Sequence, residues 1–401
     1  MKQMMILVFI FSTWYCKAQD DSSQEKSLEV YGSVMTDVGY NFDQINPNWF
    51  DALRITKLPS YKDQFGPDGK VFFGVRQTRF GIRGWLPTPA GELKTTFEFD
   101  LFGVGADEGQ TTMRLRHAYA EIGRFAVGQT NSPFMDGDVW PNTAEYWGPS
   151  GMVFFRNVQI RYAPAIGENE IFIALERPGA SADQGSFESR VELDSVKAHL
   201  TLPDLSVHYK KSGKWGHVQL AGMLRELKWK DIHTSGGYDI SGSVIGWGAH
   251  LSTVINLGKT TVFRGSVVYG EGIQNYMQDA PVDVGIIEHP NNATEPFTGE
   301  ALPVTGIHGF IDHNWNKVFC TSLGYSTVTI DNLETAAPSA YKMGQYAIVN
   351  LSAVPFKNAW LAAEVQWGRR TNFSDGFHSD AVKIHFAFKY NFSQVFYRNK
   401  Q

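Results

Sequence analysis

Arginine carries the chemistry that this chain offers. Residues 71–161 hold Arg76, Arg79, Arg83, Arg114, Arg116, Arg124, Arg156 and Arg161, half of the sixteen arginines, with Lys94 as their only lysine. A guanidinium presents a planar fork of donors that fits carboxylate and phosphate oxygens, whereas an ammonium is a point charge. The window therefore selects for oxyanion chemistry and not for general basicity. Glu98 and Asp100 interrupt it, and the aromatic loop 132–150 adds Asp136, Asp138 and Glu145. Two arrangements follow. One is an ion-pair lattice that stiffens a wall. The other is a transverse field, with arginines on one wall of a pore and carboxylates on the facing wall or loop, as in charged rings that set selectivity.

Signals for other chemistry are weak. HExxH, GxSxG, P-loop and CxxC patterns are absent from the sequence. His308 and His313 are five apart, out of step with one strand face. Asp136-Gly137-Asp138 lacks the ligand ladder of a calcium loop. The sequence thus assigns no catalytic residue, no metal and no cofactor. An outer-membrane hydrolase hidden among scattered Ser, His and Asn stays open, as does a structural or adhesive barrel.

The elements that must position the arginines are strands. Side chains alternate between the two faces of a strand, so a barrel in lipid alternates apolar with polar. From Val382 every second residue is large and apolar, Ile384, Phe386, Phe388, Tyr390 and Phe392, between Lys383, His385, Lys389 and Asn391. Leu93 to Leu101 alternate in the same way with Glu92 to Asp100, and Leu205 to Tyr209 with Ser206 and His208. Short turns such as 211–214, 258–259 and 316–317 alternate with long connections near 41–70, 132–150, 178–195 and 271–302. About sixteen strands result, enough for an aqueous channel. A charge facing lipid near the midplane would cost about 2–4 kcal/mol, so the arginines face the lumen. Parity gives this directly for Arg79, Arg83, Arg114, Arg116 and Arg161. Arg76 and Arg156 fall on the apolar parity and are expected above a bulge or in a loop, and Arg124 in a turn.

The N-terminus sets the compartment. Lys2, an apolar stretch from Met4 to Tyr15 and the small Ala18 read as a secretory signal peptide cut near residue 19. Bulky Trp14 and Tyr15 argue against a lipidated Cys16. Removing Lys2 and Lys17 from 36 Lys+Arg leaves 34 against 41 Asp+Glu, a net charge of −7. Such a chain is no nucleic-acid binder. Cys320 would be the one remaining cysteine, so an intramolecular disulfide is excluded. The longest unbroken apolar run, Met4 to Phe11, is too short for a spanning helix. The expected organisation is a signal peptide over 1–19, a short polar segment over 20–27, one barrel domain over 28–393 and a tail over 394–401.

Several stretches carry a family resemblance: Arg76-Gln77-Thr78-Arg79-Phe80-Gly81, Phe97-Glu98-Phe99-Asp100-Leu101-Phe102-Gly103, Leu115-Arg116-His117-Ala118-Tyr119-Ala120-Glu121, Val127-Gly128-Gln129-Thr130, and Trp147 through Asn157. The sequence resembles the DcaP-like outer-membrane porins, most specifically over residues 71–163. The resemblance implies a trimeric, sixteen-stranded porin whose arginine-rich constriction passes small anions, dicarboxylates included. The family's best-known members carry an N-terminal coiled-coil extension, for which the few residues between position 19 and Leu28 leave no room. The ending departs from the family, since Ser393 to Gln401 follow the last expected strand, and the terminal insertion aromatic is therefore expected at Phe392 with a short tail beyond it.

The sequence therefore predicts an all-β transmembrane antiparallel barrel of about sixteen strands, with the 132–150 loop folded inward as a constriction. The expected function is passive diffusion of small hydrophilic solutes across the bacterial outer membrane, without enzymatic activity. Arg79, Arg83, Arg114, Arg116, Arg161, Glu98, Asp100 and Asp136 are the expected constriction residues. Small anionic solutes such as carboxylates, outer-membrane lipids and two further copies of the chain are the expected partners. Ala118, Ala120 and Gln129, small or polar on an outer face, are candidates for the contact between copies.

Overall fold

The computed structural model describes residues 26–233 and 238–397. The expected signal peptide, most of the segment after it and residues 398–401 lie outside the described residues. The strands are β1 (Ser27–Asn41), β2 (Lys70–Gly74), β3 (Arg79–Thr88), β4 (Gly91–Phe102), β5 (Thr111–Ile122), β6 (Phe125–Asn131), β7 (Arg156–Ala165), β8 (Asn169–Glu176), β9 (Val196–Ala198) and β10 (Asp204–Gly213). They continue as β11 (Gly216–Asp231), β12 (Gly242–Leu257), β13 (Thr261–Glu271), β14 (Val284–Glu288), β15 (Phe297–Ala301), β16 (Pro303–Asn314), β17 (Phe319–Ile330), β18 (Tyr341–Ala353), β19 (Ala359–Asn372) and β20 (His378–Tyr397).

Antiparallel neighbours run in chain order around a closed barrel. The seam is β1 against β20, from Ser27↔Tyr397 to Asn41↔Lys383. Both β2 and β3 pair with β1, so together they form one barrel strand interrupted at residues 75–78. At the gap the Thr78 hydroxyl takes over the ladder, accepting from Met35 N and donating to Met35 O. β9 pairs only with the rim of β11, and β14 and β15 form a separate hairpin. That leaves sixteen strands in the barrel, as the sequence predicts.

The alternation read from the last strand is the alternation observed. Lys383 and His385 are fully enclosed, while Phe386, Phe388 and Tyr390 are exposed. The outward set continues around the barrel through Val34, Val127, Ile160, Leu220, Leu251, Ile307, Leu323 and Val365. On a water-soluble domain so wide an apolar band would be a liability; on a barrel it is the lipid face. Long connections gather at one end and two-to-five-residue turns at the other, beside both termini. The boundary expected at residue 394 is corrected: the strand continues to Tyr397, because Ser27–Val30 of β1 offer it a ladder.

Candidate functional site

The connection from β6 to β7, residues 132–155, folds into the barrel and is anchored strand by strand. His208 and His250 bond through Nδ1 to the Pro133 and Phe134 carbonyls at 3.0 and 2.8 Å. Gln219 donates to Met135 O at 3.0 Å. Asp136 accepts from Ser252 at 2.7 Å and lies 2.7 Å from His217 Nε2. Further along, Glu364 accepts from the backbone N–H of Ala144 and Glu145 at 2.8 and 3.0 Å. Glu145 itself holds Lys383 at 3.1 Å, with both side chains buried. Gly151 then passes so close to β16 and β17 that a side chain there would strike the Ile307 and Thr327 carbonyls. Polar residues on the inner face, spaced by the strand period of two, are thus the sockets of this loop.

Two more connections turn inward. Residues 42–69 bury Ile45, Trp49, Leu53 and Ile55, and Arg76 from the β2–β3 gap is bound by Asp51. Residues 272–283 bury Gln274, Tyr276 and Met277. Asp279 ties the two together, accepting from Arg54 Nε and Thr56 N, both at 2.9 Å. The Arg54 guanidinium lies over the rings of Trp49 and Trp147 at 4.4 and 4.6 Å, which joins this pair to the first loop.

Between these loops and the β3–β7 wall remains a cavity of about 1130 Å³. Its cationic side is an arc of inward residues: Lys389 on β20, Arg79 on β3, Arg114 and Arg116 on β5, and Arg156 at the start of β7. The acids stand in the middle of that arc, on β4. Asp100 is fully enclosed and bound bidentately by Arg114, Nε at 3.0 Å and Nη2 at 2.7 Å. Arg116 bridges both acids, to Glu98 at 2.8 Å and to Asp100 at 2.9 Å. Tyr146 of the loop donates to Asp100 at 2.5 Å, and Tyr31 donates to Glu98 at 2.9 Å. Arg79 reaches Glu98 only at 3.5 Å. Five cations and two carboxylates leave a local excess of three positive charges in a chain that is net negative. The loop side is aromatic, with Trp140, Trp147, Phe154 and Phe155; its acid, Glu145, is neutralised by Lys383, and its arginine, Arg54, by Asp279.

The family model for the DcaP outer membrane protein matches residues 17–392. The chain belongs to the DcaP outer membrane protein family. Among solved structures, the DcaP outer membrane channel of Acinetobacter baumannii superposes with a TM-score of 0.75 at 19% identity, covering 92% of this chain and 99% of that one. The anion-selective porin of Comamonas acidovorans gives 0.56 at 11% identity, with 92% and 100% covered. The trimer form of OmpT from Vibrio cholerae gives 0.54 at 12%, with the same coverage. At these identities the likeness is one of fold. A search of curated protein sequences gives no match.

Within this DcaP-family barrel the expected constriction residues divide. Arg79, Glu98, Arg114 and Arg116 line the cavity. Asp100 lies behind them as their counter-ion. Arg83 and Arg161 face the interior but sit near the short-turn end, paired with Glu29 at 3.1 Å and Glu121 at 2.6 Å, and do not line the cavity. Asp136 is corrected from constriction to anchor: it points away from the cavity toward His217, Ser252 and Lys210. Burial pushes its carboxyl up, but the His217 bond and the nearby Lys210 ammonium outweigh this and hold it well below the usual carboxylate range. Asp136, Asp138 and His217 bring three possible metal ligands together. Lys210 Nζ already serves as their cation, 3.4 Å from Asp136 and 2.5 Å from Asp138. The transverse field is corrected as well, since the acids stand on the arginine wall, where Asp100 pairs directly with Arg114.

Sequence reasoning expected Arg156 above a bulge or in a loop without naming it a constriction residue, and it missed Lys389 and His117. Lys389 shares the inward parity of Lys383 and His385, so its face was legible although it lies outside the arginine window. A bulge opposite Glu98–Phe99 turns both Arg116 and His117 inward, which strict alternation forbids. His117 then meets Thr130 Oγ1 at 3.1 Å.

Proposed function

We propose that the protein is a homotrimeric porin of the outer membrane, through which small hydrophilic solutes diffuse passively and small anions, dicarboxylates among them, are favoured. The observation that carries this reading is the cavity enclosed between an inward-folded loop and a wall with an excess of three positive charges. Local field governs permeation at a narrow point, and low-dielectric walls focus it. Family membership supports a place in the outer membrane, with the apolar band seated among its lipids. The Acinetobacter relative is a channel, the Comamonas relative is anion-selective and the Vibrio relative forms a trimer, all consistent with the reading. Binding of the solute stays weak, because a tightly held ion would not leave. Liposome swelling tests the reading: vesicles carrying the protein should swell faster in succinate than in a neutral solute of similar size. Equal rates, or no swelling at all, would count against it.

A further inference from the structure

The cations of the arc are not equivalent. Asp100 accepts from Arg114 Nε and Nη2, Arg116 Nη1, Tyr146 Oη and Phe102 N. Glu98 accepts from Arg116 through one oxygen and from Tyr31 through the other. The two carboxylates are therefore committed in full, and Arg114 and Arg116 are committed to them. The ends of the arc have no such counter-charge. Among the described residues Arg156 makes no ion pair and no side-chain hydrogen bond; its Nη1 is enclosed without a partner, and its guanidinium lies 5.0 Å from the Phe154 ring centre. Lys389, half-buried on β20, likewise lacks an acid partner and an acceptor.

An enclosed charge without a partner is costly, and the cost is met when a mobile counter-ion sits beside it. We propose that Arg156 and Lys389, with the weakly held Arg79 between them, are the residues that contact permeating anions and set selectivity, whereas Arg114 and Arg116 hold the wall together. The ligand is a small anion whose oxygens, or chloride itself, supply the acceptor that the protein withholds. Arg156 offers a bidentate fork against the aromatic loop, and Lys389 adds a flexible point charge from the other end of the arc. Cations are excluded by the same uncompensated charge. This inference rests on the anion-porin reading above, and the test separates the two.

The test uses the full-length protein refolded in detergent and planar bilayers under a potassium chloride gradient. The variants are Arg156→Gln, Lys389→Gln, the double variant, Arg156→Lys and Arg114→Gln. Folding is checked by heat-dependent migration on gels. The double variant should lower the chloride-to-potassium permeability ratio by roughly threefold or more, each single variant by less. Arg156→Lys should keep most of the ratio, and Arg114→Gln should lower it less than Arg156→Gln does while lowering heat resistance. If the unaltered channel favours chloride and the folded double variant keeps the full preference, or if Arg114→Gln alone abolishes it, the assignment is overturned. If the unaltered channel favours potassium, the anion-porin reading itself fails.

Discussion

Arg114 grips Asp100 through Nε at 3.0 Å and Nη2 at 2.7 Å, and the acid it holds has no surface left to solvent or solute. A guanidinium used in this way is structural. Its fork is filled by a neighbouring strand, and its charge is cancelled within the wall.

Removing Arg114 and Arg116 together by alanine should therefore act mainly on stability. Asp100 would keep only Tyr146 and a backbone N–H, and breaking a buried charge pair costs about 3–5 kcal/mol. The temperature at which the folded band is lost on gels should fall clearly, while the preference for anions, measured on the surviving folded fraction, falls less than in the Arg156 and Lys389 double variant.

Glu145 and Lys383 offer a cleaner case, because both are enclosed and they face each other at 3.1 Å. Lys383→Met leaves a buried carboxylate beside Asp51 O and should destabilise the barrel by about 3 kcal/mol or more. Glu145→Gln in that background should recover part of the loss, since the uncompensated charge is gone. Urea unfolding followed by tryptophan fluorescence measures both. Additive losses would show that the two residues do not act as a pair.

Asp136 ties the constriction loop to the far wall through His217, Ser252 and Lys210. Its carboxyl titrates below the ordinary range in the folded protein. A depressed acid contributes stability that is present above its unfolded pKa of about 3.9 and is lost as pH falls through the folded value. Loop anchoring by this residue should thus persist from pH 7 to pH 5 and weaken only in strong acid. Asp136→Ala should remove charge-assisted bonds of about 2 kcal/mol each and make the current noisier at pH 7. A quiet current in that variant would place the loop's hold elsewhere.

The contact between copies should lie near Ala118, Ala120 and Gln129, where Ala118 stands opposite Gln129 and Ala120 opposite Val127 on the outer face. Mass photometry in mild detergent should give three times the monomer mass, and Ala120→Arg should reduce it to the monomer. A monomer in every detergent would rule this out.

How far the sequence revealed the site depends on what alternation encodes. Period-two patterning identifies a face, so the barrel, the strand count and the inward side of Arg79, Arg114 and Lys383 were legible. It does not encode height along the strand. Arg83 and Arg161 share the correct face with Arg79, yet they sit near the short-turn end with Glu29 and Glu121 as partners. Parity also fails where the ladder is broken. The gap before Arg79 hides Arg76 against Asp51, the bulge at Arg116 reverses His117, and Arg156 enters its strand from a loop. The inward course of the loops was expected from composition for 132–150, but its sockets are distant in sequence. Asp136 meets His217 81 residues away, and Glu145 meets Lys383 238 residues away. The inward fold of 42–69 was missed, since buried Trp49, Leu53 and Ile55 are only scattered apolar residues until the barrel surrounds them.

The reversal potential of the unaltered protein in planar bilayers, under a tenfold potassium chloride gradient, tests the central claim most directly. The account predicts stepwise channels whose current reverses on the chloride side of zero, because three positive charges stand uncompensated at the cavity wall. Reversal on the potassium side, or a folded protein that gives no steps, would contradict it.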